Sequence, residues 1–367
     1  MKLKDRFTKE SVADLASAVG NGVPAFQQET FLERVFDESW DGLELKQRTR
    51  HITTVLHDSL ALEYRPALKV LQGALPQVGD DWTILWVFPD YVEVYGLDDW
   101  EASLPALETF TQRMSAEFAV RPFIVRYPER TMAQMLAWAR HESVEVRRLA
   151  TEGCRPRLPW GIRLPGLVAD PSPILPILEQ LKDDAAETVR RSVANNLNDI
   201  SKDHPGIVLD VLYRWQALSG GQPETGWITR HALRSLVKKG DPRALELLGY
   251  PSDPAIAVRS LRVEPEAVAV GSKVLFSFDI ESLSDQPQRL MIDYVVHHMR
   301  ANGSMTPKVF KLSKKTLQPG EVLRVERRHS FAPVTTRRYY AGQHAIEPKI
   351  NGRVFERVKF VLEVPAS

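Results

Sequence analysis

Two acidic residues are placed where their chemistry is hard to explain by folding alone. Asp199, in NNLND, closes a helical pattern that opens near the basic pair Arg190-Arg191. A carboxylate there faces the negative end of the helix dipole, which costs it stability. Its simplest competing role is a helix-end partner for Arg191 or Lys202. Glu117, in SAEFAVRPFI, stands among Met114, Phe118 and Val120, with Arg121 one turn on. A Glu–Arg pair at that spacing is also ordinary helix support. Asp203 and Glu152 are the competing carboxylates. Trp160, between Pro159 and Gly161 in RPRLPWG, falls in an inter-helix turn beside Arg155 and Arg157. It is either a lid over the core or a flat face for a sugar or base edge. Trp40, Trp86, Trp138 and Trp227 lie in helical patterns and read as core.

Other chemistries find no support. The nine histidines show no HExxH or other zinc spacing, and the single cysteine, Cys154, excludes an internal disulfide and a cysteine-based zinc site. There is no GxGxxG, no GxxxxGK[ST] and no GxSxG. Hydrolysis without metal or cofactor fits what is left.

The basic residues recur. VRRLATEG at 146–153, VRRSVANN at 189–196 and TRHALRSL at 229–236 align on Arg147, Arg190 and Arg230, spaced 43 and then 40 residues apart. That is the period of a HEAT or armadillo helical pair. Arg148, Arg155, Arg191, Arg230, His231 and Arg234 are the candidate phosphate contacts, of which about half are expected to reach a polyanion. Solvated helix starts in an ordinary solenoid are the competing explanation.

Residues 1–250 read almost wholly as helix, broken at 20–24, 76–81 and 98–100. ILPILEQLKDDAAETVRRSVANNLNDIS is the clearest pair, two helices around a DDAAE connector. Asp241 and Pro242 open a last helix as cap and first residue. SDPA at 252–255 is the expected linker. From Ile256 onward seven candidate strands alternate with Pro and Gly turns, among them Pro319-Gly320 and Asn351-Gly352. Seven strands in about 110 residues fit an immunoglobulin-like sandwich. The fold is therefore mainly α: a HEAT-like helical-repeat solenoid over 1–250, followed by an all-β sandwich over 256–367.

The net charge of +1 hides an asymmetry. Residues 256–367 hold 18 Lys or Arg against 11 Asp or Glu, whereas the first 255 hold 30 against 36. In the sandwich Lys314-Lys315, Arg327-Arg328 and Arg337-Arg338 are basic doublets, and the ANGSMT loop at 301–306 could enter a groove. Adjacent strand residues point to opposite faces, so at most one of each strand doublet meets a partner. No apolar run is long enough to span a bilayer, and the first residues lack a signal-peptide apolar block. The expectation is a cytoplasmic monomer with no membrane partner.

The order of these parts, VRRSVANNLNDISKDHP at 189–205, TRHALRSLVKKGDP at 229–242 and the appended sandwich, resembles the AlkC branch of the AlkC/AlkD alkylpurine DNA glycosylases over the full length. The resemblance implies an enzyme that hydrolyses the N-glycosidic bond of small cationic lesions such as N3-methyladenine and N3-methylcytosine. It further implies action on duplex DNA without extruding the base into a pocket. A cationic base leaves without strong acid catalysis, so the remaining tasks are stabilising an oxocarbenium-like sugar and placing a water. On the resemblance, Asp199 matches the family's catalytic Asp, and Glu117 its partner from the preceding repeat. Trp160 would line the lesion site, and the sandwich, through Lys314, Lys315, Arg337 and Arg338, would clamp the DNA. The competing function is a non-catalytic scaffold binding nucleic acid or protein.

Overall fold

The computed structural model describes residues 3–335 and 337–364. Apolar residues at helical spacing make the first two-thirds of the chain α-helical. The seven candidate segments in the last third each contain strand, but RVFERVKFVLEV breaks into Arg353–Val354 and Val358–Glu363, and a short strand Ala267–Ala269 is added, making nine among the described residues. The helices that position the candidate residues are α1 (Leu45–Leu60), α2 (Val120–Arg126), α3 (Val144–Glu152), α4 (Glu187–Ile200), α5 (Pro205–Leu218), α6 (Pro223–Ala232), α7 (Arg234–Lys239) and α8 (Pro242–Leu247).

Two compact units emerge. One runs to His204 and adds Ser219–Ala232; the other is Pro205–Leu218 with everything from Leu233 onward. Secondary structure changes at about residue 255, but α5, α7 and α8 associate with the strands. In the second unit, the Lys349 ammonium donates to the Lys238 carbonyl and Asn351 Nδ2 to the Pro251 carbonyl.

In the first unit the repeat is a stack in which α4 packs on α3 and α6 on α4. The buried stripes are Val146, Leu149 and Ala150 on α3, Val189, Val193, Ala194 and Leu197 on α4, and Ile228 and Ala232 on α6. Polar residues of NNLND bind both neighbours. Asn196 Nδ2 donates to the Thr151 carbonyl at 2.9 Å, Asn198 Nδ2 donates to the Ala232 carbonyl at 2.8 Å, and Asn195 Oδ1 pairs with His231 Nε2 at 2.9 Å. These groups would be costly to bury unpaired, so the asparagines fix the register of the stack.

The basic pairs divide by function. Arg147 donates to the carbonyls of His141 and Glu142, and Arg190 to those of Asp184 and Ala185. The first arginine of each pair thus fastens the turn that precedes its own helix. The third copy is out of phase with these two. Arg147 and Arg190 are each the fourth residue of their helix, whereas Arg230 and His231 lie in the last turn of α6, and Arg234 opens α7.

The second unit contains two sheets. β1 (Ile256–Glu264), β3 (Lys273–Ser282) and β6 (Val322–Ser330) form one, in the order β1-β3-β6. The other runs β2-β9-β7-β4-β5, from β2 (Ala267–Ala269), β9 (Val358–Glu363), β7 (Gly342–Ile350), β4 (Gln288–Met299) and β5 (Met305–Leu317), with β8 (Arg353–Val354) paired to β7. Alternate residues Val274, Phe276, Phe278 and Ile280 of β3, with Leu290, Ile292 and Val296 of β4, enter one core. Asn351 and Gly352, at φ 47° and 83°, make the two-residue hairpin turn between β7 and β8. Asp241 caps α8 through its bond from the Ala244 amide, with Pro242 in the first helical position as expected.

Candidate active site

Asp199 lies on the last turn of α4 with its side chain 2 % exposed. Burial of a carboxylate is expensive unless its oxygens are met. Here both are: Arg155 Nε donates to Oδ2 at 2.9 Å and Lys202 Nζ to Oδ1 at 2.8 Å. Arg155 Nη1 donates in turn to Glu152 Oε1 at 2.6 Å, and the Ser192 hydroxyl to Glu152 Oε2 at 2.5 Å. Burial alone would lower the Arg155 pKa, but Glu152 and Asp199 outweigh it and hold the guanidinium above its ordinary range.

The line continues to Glu117. Arg148 Nη2 donates to Glu117 Oε2 at 2.8 Å and lies 4.0 Å from Glu152 Oε1, while Arg148 Nη1 reaches the Ser115 hydroxyl. Ser115 also donates to Glu117. Glu117, Arg148, Glu152, Arg155, Asp199 and Lys202 therefore alternate acid and base from the turn before α2, through α3 and the turn after it, to the end of α4. The chain separations within this line span up to 44 residues.

Two expectations change at this point. Arg155 is not a phosphate contact: its side chain is 8 % exposed and its guanidinium is used by Glu152 and Asp199. Glu117 does not form an i,i+4 helix pair with Arg121 either. It sits in the turn before α2, and Arg121 points inward, wholly buried, to the carbonyls of Gly153, Arg155 and Ile162. Burial pushes the Arg121 pKa down to about 10. Asp203 is drawn off by Arg157, which holds it with two hydrogen bonds.

Trp160 stands in its turn at φ 65° with 69 % of its surface exposed, so it is no lid over the core. Trp40, Trp86 and Trp138 are buried as expected, but Trp227 is only half-buried and not core, because it lines an open cleft with Arg190 and Arg230. Of the remaining candidates, Arg191 is exposed and pairs with Glu187, while Arg230 is exposed on α6. His231 stacks on Trp227 at 5.0 Å, and Arg234 is half-buried.

Lys314 and Lys315 are exposed on β5, with the Lys314 ammonium 5.9 Å from the Tyr250 ring. Arg337 and Arg338 are not on a strand; they lie in the connection from β6 to β7. Arg337 Nη1 donates to His298 Nε2 at 2.9 Å, and Arg338 is exposed beside Tyr340. Among the described residues no group of His, Cys, Asp and Glu is arranged to hold a metal. No helix among them is long and apolar enough to cross a membrane. Burial raises the Cys154 thiol pKa to about 12, which removes it as a nucleophile.

The fold that carries these residues has a counterpart among solved structures. The alkylpurine DNA glycosylase AlkC of Pseudomonas fluorescens, bound to DNA containing an abasic site analog, is 37% identical, with a TM-score of 0.91 over 99% of this chain and 100% of its own. This chain belongs to the AlkC family. The chain is also similar to a Bacillus subtilis protein, Uncharacterized protein YhaZ, at 43% identity over 98% of each chain. The family described as Uncharacterised protein YhaZ, C-terminal Ig-like domain, matches residues 257–364. The AlkC-type architecture of helical repeat plus immunoglobulin-like domain thus applies to the whole length. Lys46 and Arg121 join this cluster without being marked by any sequence pattern, while Glu152, a competing carboxylate, and Lys202 contact Arg155 and Asp199 directly. Lys46 donates to the Trp160 carbonyl from 114 residues away, a contact that no local pattern announces.

Proposed function

We propose that this chain is a DNA-repair glycosylase that hydrolyses the N-glycosidic bond of small cationic alkylated bases, N3-methyladenine and N3-methylcytosine, in duplex DNA without base flipping. The observation that supports this most is the acid–base line from Glu117 to Asp199, set in a fold matched over its full length by a glycosylase bound to abasic DNA.

The alkylated base leaves as a neutral molecule, taking the electrons of its bond to C1′ and leaving positive charge on the sugar. Asp199 stabilises that charge. Its Oδ1 is held by Lys202, whose side chain is 40 % exposed. Glu117 orients the attacking water and takes its proton. The ion pairs to Arg148 and Arg155 hold both carboxylates in place before substrate arrives, so little reorganisation is needed during reaction. Trp160 offers an exposed indole face to the deoxyribose.

Phosphate contacts come from Arg148, Arg191, Arg230, His231 and Arg234, with Lys314, Lys315, Arg337 and Arg338 adding a basic surface on the immunoglobulin-like domain over 256–367. Binding is therefore salt-dependent, and selection comes from the lesion's charge more than from base-edge readout. The enzyme acts as a cytoplasmic monomer. Incubating the purified full chain with N-methylated duplex at low salt tests this: free N3-methyladenine is expected. Duplex binding with no base released would favour a non-catalytic scaffold instead.

A further inference from the structure

Trp160 is set in a conformation that its own side chain does nothing to stabilise. A non-glycine residue at positive φ is strained and persists only where its surroundings over-determine it. At φ 65° and 69 % exposed, the Trp160 indole contributes little burial in return.

Two cations from distant elements hold this turn. Lys46, on α1, donates from Nζ to the Trp160 carbonyl at 2.7 Å. The same ammonium lies 4.0 Å from the centre of the Phe118 ring, next in sequence to Glu117. It reaches there across a cleft of about 210 Å³ lined by Trp86, Asp90 and Glu93. From beneath, Arg121 donates through Nε and Nη2 to the Ile162 carbonyl and through Nη1 to the carbonyls of Gly153 and Arg155. Gly161 lets the turn lie directly on that guanidinium, since a Cβ there would meet Arg121 Nε at 3.1 Å.

No described carboxylate forms an ion pair with Arg121. A buried cation met only by carbonyls is a costly device for stability alone. Its bonds nevertheless join the element after Glu117 to the backbone of Arg155, the partner of Asp199, and to the Trp160 turn.

We infer that Lys46 and Arg121 are positioning residues that preset Trp160 relative to Glu117, so that the indole meets the sugar without rearrangement. The inference rests on the glycosylase reading for its kinetic consequence, but its structural consequence stands apart from it.

The test uses the full chain labelled with 5-fluorotryptophan, whose eight tryptophans give fluorine resonances, with Trp160→Phe assigning one. Lys46→Met keeps the aliphatic stem and removes the ammonium. It is expected to shift or broaden the Trp160 resonance in the free protein. It is also expected to lower single-turnover base release by about tenfold or more while changing affinity for undamaged duplex less than about twofold. In a Trp160→Ala background it should add no further loss, because the two residues act as one unit. Arg121→Lys, which keeps the charge but cannot reach three carbonyls together, should move the same resonance. An unmoved resonance in Lys46→Met, or rate losses that simply add, would overturn the inference. If the wild type releases no base, the glycosylase reading fails, and the fluorine resonance alone decides the positioning role.

Discussion

Arginine serves three different purposes within ten residues of this chain. Arg147 fastens a turn, Arg148 faces Glu117 from a half-open position, and Arg155 is buried between two acids. Residue type and spacing mark Arg148 and Arg155 alike as candidate phosphate contacts; burial separates them. The separation has a measurable consequence. Removing Arg155 strips two buried carboxylates of the guanidinium they share, leaving Glu152 with Ser192 and Asp199 with the half-exposed Lys202, so Arg155→Leu is expected to cost about 3–5 kcal/mol in urea denaturation. The exposed Arg191–Glu187 pair is worth little, and Arg191→Ala should change stability by less than about 1 kcal/mol while weakening duplex binding. An Arg155→Leu protein as stable as the wild type would show that the acid–base line is not the coupled unit described above.

At the scale of elements, the sandwich encloses three histidines between its sheets and loops. His298, His329 and His344 are all buried, around Phe331. Burial, reinforced by the Arg337 guanidinium, lowers His298 to about 3 and His329 to about 4. Because the Arg337 guanidinium donates to His298 Nε2, that ring is neutral with its proton on Nδ1. Between the ordinary histidine pKa of 6.5 and these lowered values, the unfolded chain binds protons that the folded chain refuses. Stability therefore falls as pH drops below 6.5, by up to about 1.4 kcal/mol per pH unit for each such ring. The urea midpoint of the second unit should be lower at pH 5 than at pH 7.5, and His329→Gln should flatten that slope. A midpoint equal at both pH values would contradict the assignment.

Much of this architecture is legible before any coordinates. Seven strand segments follow from alternation, the hairpin at Asn351-Gly352 from turn chemistry, and the α8 start from Asp241-Pro242. The short β2 escaped because AVA is too brief to show a period. The third repeat misled because TRHALRSL spans the end of one helix and the start of the next, while the first two copies begin theirs. The candidate carboxylates could be picked out, since Asp199 opposes its helix dipole. Their partners could not, because Arg148 meets Glu117 across 31 residues and Arg155 meets Asp199 across 44. Stacking of helices, which no local window contains, decides those pairs.

Across the whole molecule, an acidic helical body and a basic sandwich join in one chain, and the acids of the site lie in the acidic part. In the proposed reaction that division suits a cationic lesion on an anionic polymer, with carboxylates set against the charge of base and sugar and arginines and lysines against the phosphates. The central claim is that Asp199 and Glu117 act on the sugar while the arginines around them hold position. It is tested most directly by single-turnover release of N3-methyladenine from one alkylated duplex by the wild type, Asp199→Asn and Glu117→Gln, with duplex affinity measured in parallel. The account predicts rate losses of at least about a hundredfold in Asp199→Asn and at least about tenfold in Glu117→Gln, with affinity changed less than about threefold. Release by both variants at the wild-type rate would contradict it.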